Sequence, residues 1–114
     1  MPESPPWEAR FDDEIAHAEE ARSAGNEGMA RVCARRAAGI AAGEYLRRNG
    51  LSLVEPSAYS RLKVLLQFPQ TPAAVHDVVN HFLLRITPER TLPVKADLIA
   101  EARWLAKELL YWPN

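Results

Sequence analysis

Residues 27–49 read EGMARVCARRAAGIAAGEYLRRN, and the fold turns on them. No proline interrupts the run, Asn26 stands before it as an N-cap, and Gly50 follows where a left-handed helix stop belongs. At about 1.5 Å per residue the predicted helix is a rod of roughly 34 Å. Ala30, Ala34, Ala38 and Ala42 recur every four residues and form one smooth ridge. Gly39 and Gly43 lie beside the ridge, and Met29, Val32, Cys33 and Ile40 occupy another side. A helix that is small or apolar on most sides is ordinarily surrounded by others, so this one is expected at the centre of a bundle. Gly39-x-x-x-Gly43 then reads as a place of close helix packing.

Upstream, Trp7, Phe11, Ile15 and Ala18 form the apolar stripe of an amphipathic helix, with Asp12, Asp13, Glu14, Glu19 and Glu20 on its wet side. Residues 1–6 read as a loose arm in which Ser4 can cap and proline fits only a first helical turn. The turn pair Gly25-Asn26 stops this helix near Ala24, so helices one and two form an antiparallel hairpin. Residues 1–20 carry seven acids and one base, whereas residues 31–48 carry Arg31, Arg35, Arg36, Arg47 and Arg48 against Glu44. Two readings follow: neighbouring helix surfaces balancing each other, or a basic face for phosphate. The balancing pairs are the simpler reading.

Downstream, LSLVEPS (51–57) reads as a loop broken by Pro56. A third helix is expected from Ser57 to Gln67, burying Ala58, Leu62, Leu65 and Leu66 and ended by Phe68-Pro69. Thr71-Pro72 is a start signal for a fourth, a capping threonine with proline in the first helical position. Its apolar face is Val75, Val78, Val79, Phe82, Leu83 and Ile86, and it closes at Thr87-Pro88. TPERTLP (87–93) is a connecting loop. The last helix is expected over Val94 to Trp112, burying Leu98, Ala102, Leu105, Leu109 and Trp112, with Asp97 and Glu101 early and Lys107 late, as the helix dipole prefers. The fold class is all-α, an antiparallel four- or five-helix bundle in one domain spanning 1–114.

Composition agrees with that class. The 114 residues suffice for one core, and 47% apolar with 25% charged residues is ordinary for a globular protein. A formal charge of −1 argues against a protein held on nucleic acid by bulk charge. No run of about 18 apolar residues is present to span a membrane. The acidic, proline-rich beginning is unlike a signal peptide, which makes a cytoplasmic location the expectation. The single cysteine, Cys33, reads as a small buried hydrophobe.

Chemical motifs are sparse. His76 and His81 are five apart on the fourth helix and point about 140° from each other, and no HExxH or Glu-x-x-His pair accompanies them, so no metal and no cofactor is expected. No nucleophile elbow or phosphate loop occurs, and no catalytic residue is assigned. Two polar groups stand out as candidate binding residues. Asp77, His81 and Arg85 are spaced i, i+4, i+8, which reads either as an exposed ladder of favourable pairs or as a site where Arg85 holds a phosphate with help from His81. Arg36 and Glu44 share one side of the central helix with Ile40 and Met29, as intramolecular partners, as groove lining or as a dimer contact.

Residues 7–50, WEARFDDEIAHAEEARSAGNEGMARVCARRAAGIAAGEYLRRNG, resemble the HEPN superfamily of small helical proteins in their tryptophan-led first helix, short turn and long alanine-rich second helix ending in leucine and glycine. FLLRITP (82–88) resembles the arginine-and-proline junction before the family's final helix, and ADLIAEARWLAKELL (96–110) that helix itself. The resemblance implies a bundle that dimerises and acts as a ribonuclease, as the partner of a small nucleotidyltransferase in a toxin–antitoxin pair, or as a non-catalytic binding module. The ribonuclease members place a histidine four to six residues beyond an arginine near the last two helices. Here Arg85 would be that arginine, but Arg90, Thr91 and Leu92 stand where the histidine belongs. Arg10 and His17 have the spacing but lie in the first helix and are set aside. Gly39 and Gly43 also replace the glutamate and lysine common in the family. The expectation is therefore a non-catalytic HEPN-like module, a homodimer, with a nucleotidyltransferase or a nucleotide or RNA phosphate as its partner. The alternative is a ribonuclease that uses His81 and Arg85. Trp7, Trp104, Tyr111 and Trp112 are the aromatics available for an interface at the bundle ends.

Overall fold

The computed structural model describes residues 6–51, 57–84 and 96–111. All regular structure among them is helical: α1 (Pro6–Ser23), α2 (Glu27–Arg48), α3 (Ala58–Gln67), α4 (His76–Leu83) and α5 (Leu98–Leu110), with a short 3-10 turn at Ala73–Val75 before α4. The α2 helix is the hub, packing against α1, α5 and α3.

The hairpin forms as its turn residues dictate. Gly25 takes φ +80°, and the Asn26 amide donates back to the Ala21 carbonyl, closing α1. The Asn26 side chain then accepts from the Met29 amide at 3.0 Å, so one residue ends a helix and caps the next. Gly50, at φ +90°, repeats the stop for α2, with the Leu51 amide donating to the Leu46 carbonyl. The stripe Trp7, Phe11, Ile15 and Ala18 is buried, as are all four ridge alanines and Cys33. Small residues on α2 let the leucines of α5 approach closely, and Leu62, Leu65, Leu98 and Leu105 are essentially inaccessible.

Gly39 sets the distance between α2 and α3. A Cβ there would lie 2.5 Å from the Ala58 Cβ and 2.7 Å from its Cα. At Gly43, one turn on, the neighbour is instead the flexible Arg61 side chain, with Cδ 3.3 Å from a built Cβ. The two glycines thus share a face and serve different ends.

Several sequence expectations need correction. Thr71 does not cap α4. Its hydroxyl donates to the Leu65 carbonyl at 2.7 Å, satisfying the end of α3, and the chain after Pro72 makes a 3-10 turn before α4 begins at His76. That helix ends at Leu83 rather than at Thr87-Pro88, because Leu84 is extended (ψ 142°). Arg35 on α2 supplies the cap, its Nε donating to the Phe82 carbonyl at 2.8 Å, as cations favour helix C-termini. Ile86, Thr87, Pro88 and the start expected at Val94 lie outside the described residues, as do the 1–5 arm and Trp112. The last helix starts at Leu98, and Asp97 is its N-cap, accepting from the Ala100 amide at 3.2 Å. The central helix is not wholly surrounded either: Met29 is 45% and Val32 38% exposed.

Charge pairing also follows tertiary neighbours rather than the expected acidic α1 against basic α2. Among the described residues Glu19 pairs with Arg103 of α5. Arg22 at the end of α1 grips Glu27 of α2 through two bonds of 2.8 and 3.1 Å and Asp97 of α5 at 3.0 Å. One guanidinium therefore joins three helix ends. Hydrogen bonds from Arg22 hold the Glu27 carboxyl below its usual range despite burial. Burial pushes Asp97 upward, but the Ala100 amide and Arg22 outweigh it and leave the carboxyl below its usual range.

Two outcomes are expected. Gly39→Ala gains about 1 kcal/mol of helix propensity but forces α3 outward, so chemical denaturation should show a net loss of roughly 1–2 kcal/mol, whereas Gly43→Ala should fall within about 1 kcal/mol of wild type. Carboxylates with depressed values contribute stability above their unfolded value, about pH 4, that disappears as pH falls through the folded value. Acid titration should show that loss, and Arg22→Ala should flatten it.

Candidate binding groove

The neighbours of α2 leave one lengthwise strip of it open, between α1 and the start of α3. Three cavities that share lining residues border this strip. The central one, about 580 Å³, is lined by Arg10, Asp13, Glu14 and His17 of α1, Arg36 and Ile40 of α2, and Ala58 and Arg61 of α3. Toward the N-terminus of α1 it continues into about 220 Å³ bounded by Trp7, Arg10, Gly43, Glu44 and Arg61. Toward the hairpin turn it continues into about 390 Å³ bounded by His17, Ala21, Met29, Cys33 and Arg36. The result is a trough with arginines from three helices at its centre and an apolar end at Met29.

Position and chemistry agree along the trough. On α2, Met29, Val32, Arg36, Ile40 and Gly43 recur at three or four residues and so share the open face. Burial first, and the Glu14 carboxylate second, push the Cys33 thiol above its ordinary value, so it stays protonated at neutral pH. Oε1 of Glu14 is enclosed with no hydrogen-bond partner among the described residues. Burial, and next the charge of Arg10, hold the Arg61 guanidinium below its ordinary value. At the Trp7 end Arg48 lies over the indole, 5.8 Å from the ring centroid.

The sequence-derived candidates separate. Arg36 and Glu44 both reach the trough, in different cavities, but they do not pair with each other. Glu44 is bound by Arg47 at 2.7 and 3.0 Å and by Arg48 at 2.9 Å, which hold its carboxyl below the usual range although burial opposes them. Asp77 and His81 lie elsewhere, on α4, and no hydrogen bond or ion pair joins these two members of the expected ladder. His81 turns to α5, with Nδ1 2.9 Å from Glu101 Oε1 and 3.1 Å from Oε2. A carboxylate only accepts, so Nδ1 carries the proton. Asp77 is exposed, and Arg85 lies outside the described residues. Of the four aromatics, Trp7 is buried, Trp104 half-buried and Tyr111 75% exposed, while Trp112 is not described.

Sequence reasoning set Arg10 and His17 aside and did not single out Glu14 or Arg61. Arg10 also carried a signal as the lone base among the seven acids of residues 1–20. Arg61 carries no comparable signal, because α3 meets α2 only in the folded chain. Among the described residues no group of three or more His, Cys, Asp or Glu side chains is placed to hold a metal ion. No helix among them is long and apolar enough to cross a membrane.

The His81–Glu101 contact should act as a local tie between α4 and α5. His81→Ala and Glu101→Ala are each expected to cost about 1 kcal/mol, and the double variant less than their sum, as a thermal-denaturation cycle would show. Comparison with protein-family models, curated proteins and solved structures finds no match to this chain.

Proposed function

We propose that this chain is a non-catalytic, HEPN-like interaction module that works as a homodimer, with the α1–α2–α3 trough and the open strip of α2 as its working face. The supporting observation is the exposure of Met29 and Val32 on a helix whose other aliphatic side chains are buried. Leaving two large apolar side chains in water forgoes part of roughly 1.5–3 kcal/mol each, which a partner surface recovers. Charge favours a second copy as that partner. The α1 edge of the face carries Asp13 and Glu20, and the α2 and α3 side carries Arg36 and Arg61. A two-fold arrangement brings each edge onto the other's opposite twice over. The HEPN resemblance extends the reading to a nucleotidyltransferase-type protein as a second kind of partner for the same face.

Sedimentation equilibrium tests the reading. The wild-type chain is expected to dimerise, and the double variant Met29→Glu, Val32→Glu to be monomeric with unchanged helical circular dichroism. A wild-type monomer at the highest attainable concentration would overturn the homodimer. The non-catalytic assignment would fall to the alternative ribonuclease if the purified protein cut RNA and His81→Ala lost that activity, because acid–base help contributes about 10²–10⁴-fold.

A further inference from the structure

We infer that the trough receives an amphipathic helix of another protein, one with an apolar side chain at each end, polar side chains in the middle and flanks of opposite charge. This deepens the interaction-module reading and rests on the trough being the working face, though not on dimerisation. Four observations carry it. The floor alternates: Trp7, Ile40 and Leu51 make one end apolar, Ala21, Met29 and Cys33 the other, and Asp13, Glu14, His17 and Arg36 line the cavity between them. Met29 and Gly43, which mark the two ends on α2, stand about 20 Å apart along the rod, a span that three to four turns of a second helix match. The lips differ in charge, with exposed Asp13 and Glu20 on α1 and exposed Arg36 on α2. Met29 and Val32 remain in water at the hairpin end.

Each feature selects part of the partner. The long walls, α1 and α2, are helices whose backbone groups are spent on their own ladders. An extended segment would find no sheet edge there and would lie with its amides unpaired. A helix satisfies its own backbone and brings only side chains to the groove. Residues at i, i+4, i+7 and i+11 share one face of such a helix, which sets apolar groups over the two ends and hydrogen-bonding groups over the centre. Lysine or arginine on the flank along α1 meets Asp13 and Glu20, and acid on the other flank meets Arg36. Arg10, toward the Trp7 end of α1, confines the basic flank to the hairpin half. A second copy of this chain is the poorer occupant of the trough itself. Its two-fold contact covers the strip at Met29 and Val32 but sets trough against trough, and two concave surfaces leave the central space of about 580 Å³ unfilled.

Isotope-labelled protein titrated with synthetic peptides of about sixteen residues, cross-linked to hold them helical, tests the inference through the Met29 methyl and the Gly43 amide, one at each end of the trough. The first peptide carries leucines three turns apart, glutamines between them, and lysines and glutamates on the inferred flanks. The second has its flank charges exchanged, and the third has serine for leucine. Saturable shifts at both ends are expected with the first, binding about tenfold weaker with the second, and none with the third. Arg36→Glu should reverse the preference between the first two, whereas Lys63→Glu, on the exposed side of α3, leaves it unchanged. Arg36 is exposed, so its variant keeps the fold, as unchanged helical circular dichroism would show. Resonances that move with protein concentration but with no peptide make a second copy the occupant and overturn the helix, and equal affinity for the first two peptides overturns it as well. A dimer in sedimentation that ignores all three peptides leaves the homodimer standing without the helix. A monomer that binds the first peptide selectively keeps the helix without the homodimer.

Discussion

Contact between α2 and α3 at Gly39 is the constraint on which the rest depends. With hydrogen at that position, the Ala58 backbone comes within van der Waals reach of the α2 rod. Closeness here brings Arg61, one turn along α3, over Gly43, and it brings the start of α3 opposite α1 to form a trough. The ridge alanines are likewise fully buried, and α2 also packs against α5, whose leucines are buried. Small residues on a central helix set the spacing of its neighbours because helix separation tracks the side chains at the contact. The same residues that make the bundle tight therefore shape the one face that stays open.

Arginine is used in this chain in two different settings, and its place in the fold separates them. Arg22 gathers the ends of α1, α2 and α5, and Arg35 closes the end of α4. Both are half-buried, Arg22 donating to carboxylates and Arg35 to backbone carbonyls. Arg47 and Arg48 neutralise Glu44 within their own helix. Arg10, Arg36 and Arg61 instead converge on a cavity. A net charge near zero conceals this arrangement, because charge summed over a chain carries no information about where like charges meet.

His81 illustrates how a polar stripe read along one helix can mislead. Asp77 stands one turn back on α4, yet the His81 ring bonds to Glu101 of α5, because a partly desolvated carboxylate on a neighbouring helix is a stronger acceptor than one across open solvent. Thr71 gives a parallel case. Ahead of a proline it has the form of an N-cap, but its buried hydroxyl donates to the Leu65 carbonyl six residues back. In each case a polar group at least partly withdrawn from water took a partner on another element.

Helix identity and the hairpin turns were legible in the sequence, since they depend on local rules. The periodic stripe from Trp7 to Ala18, the Asn26 cap and the left-handed Gly25 and Gly50 are set by residues within a few positions of each other. The end of α4 and the start of α5 were not, as the first depends on Arg35, 47 residues away, and the second sits at a cap shared with Arg22. Arg36 and Glu44 could be placed on one side of α2 from spacing alone, but not the trough they border. That trough needs α1, α2 and α3 together, and the meeting of Arg10 with Arg61 links residues fifty-one apart in the chain. Local sequence determines which segments are helices and which faces are apolar, because those follow from the backbone's own hydrogen bonding and period. Which charges share a cavity was decided only when the glycine and alanine contacts fixed how the helices lie against one another.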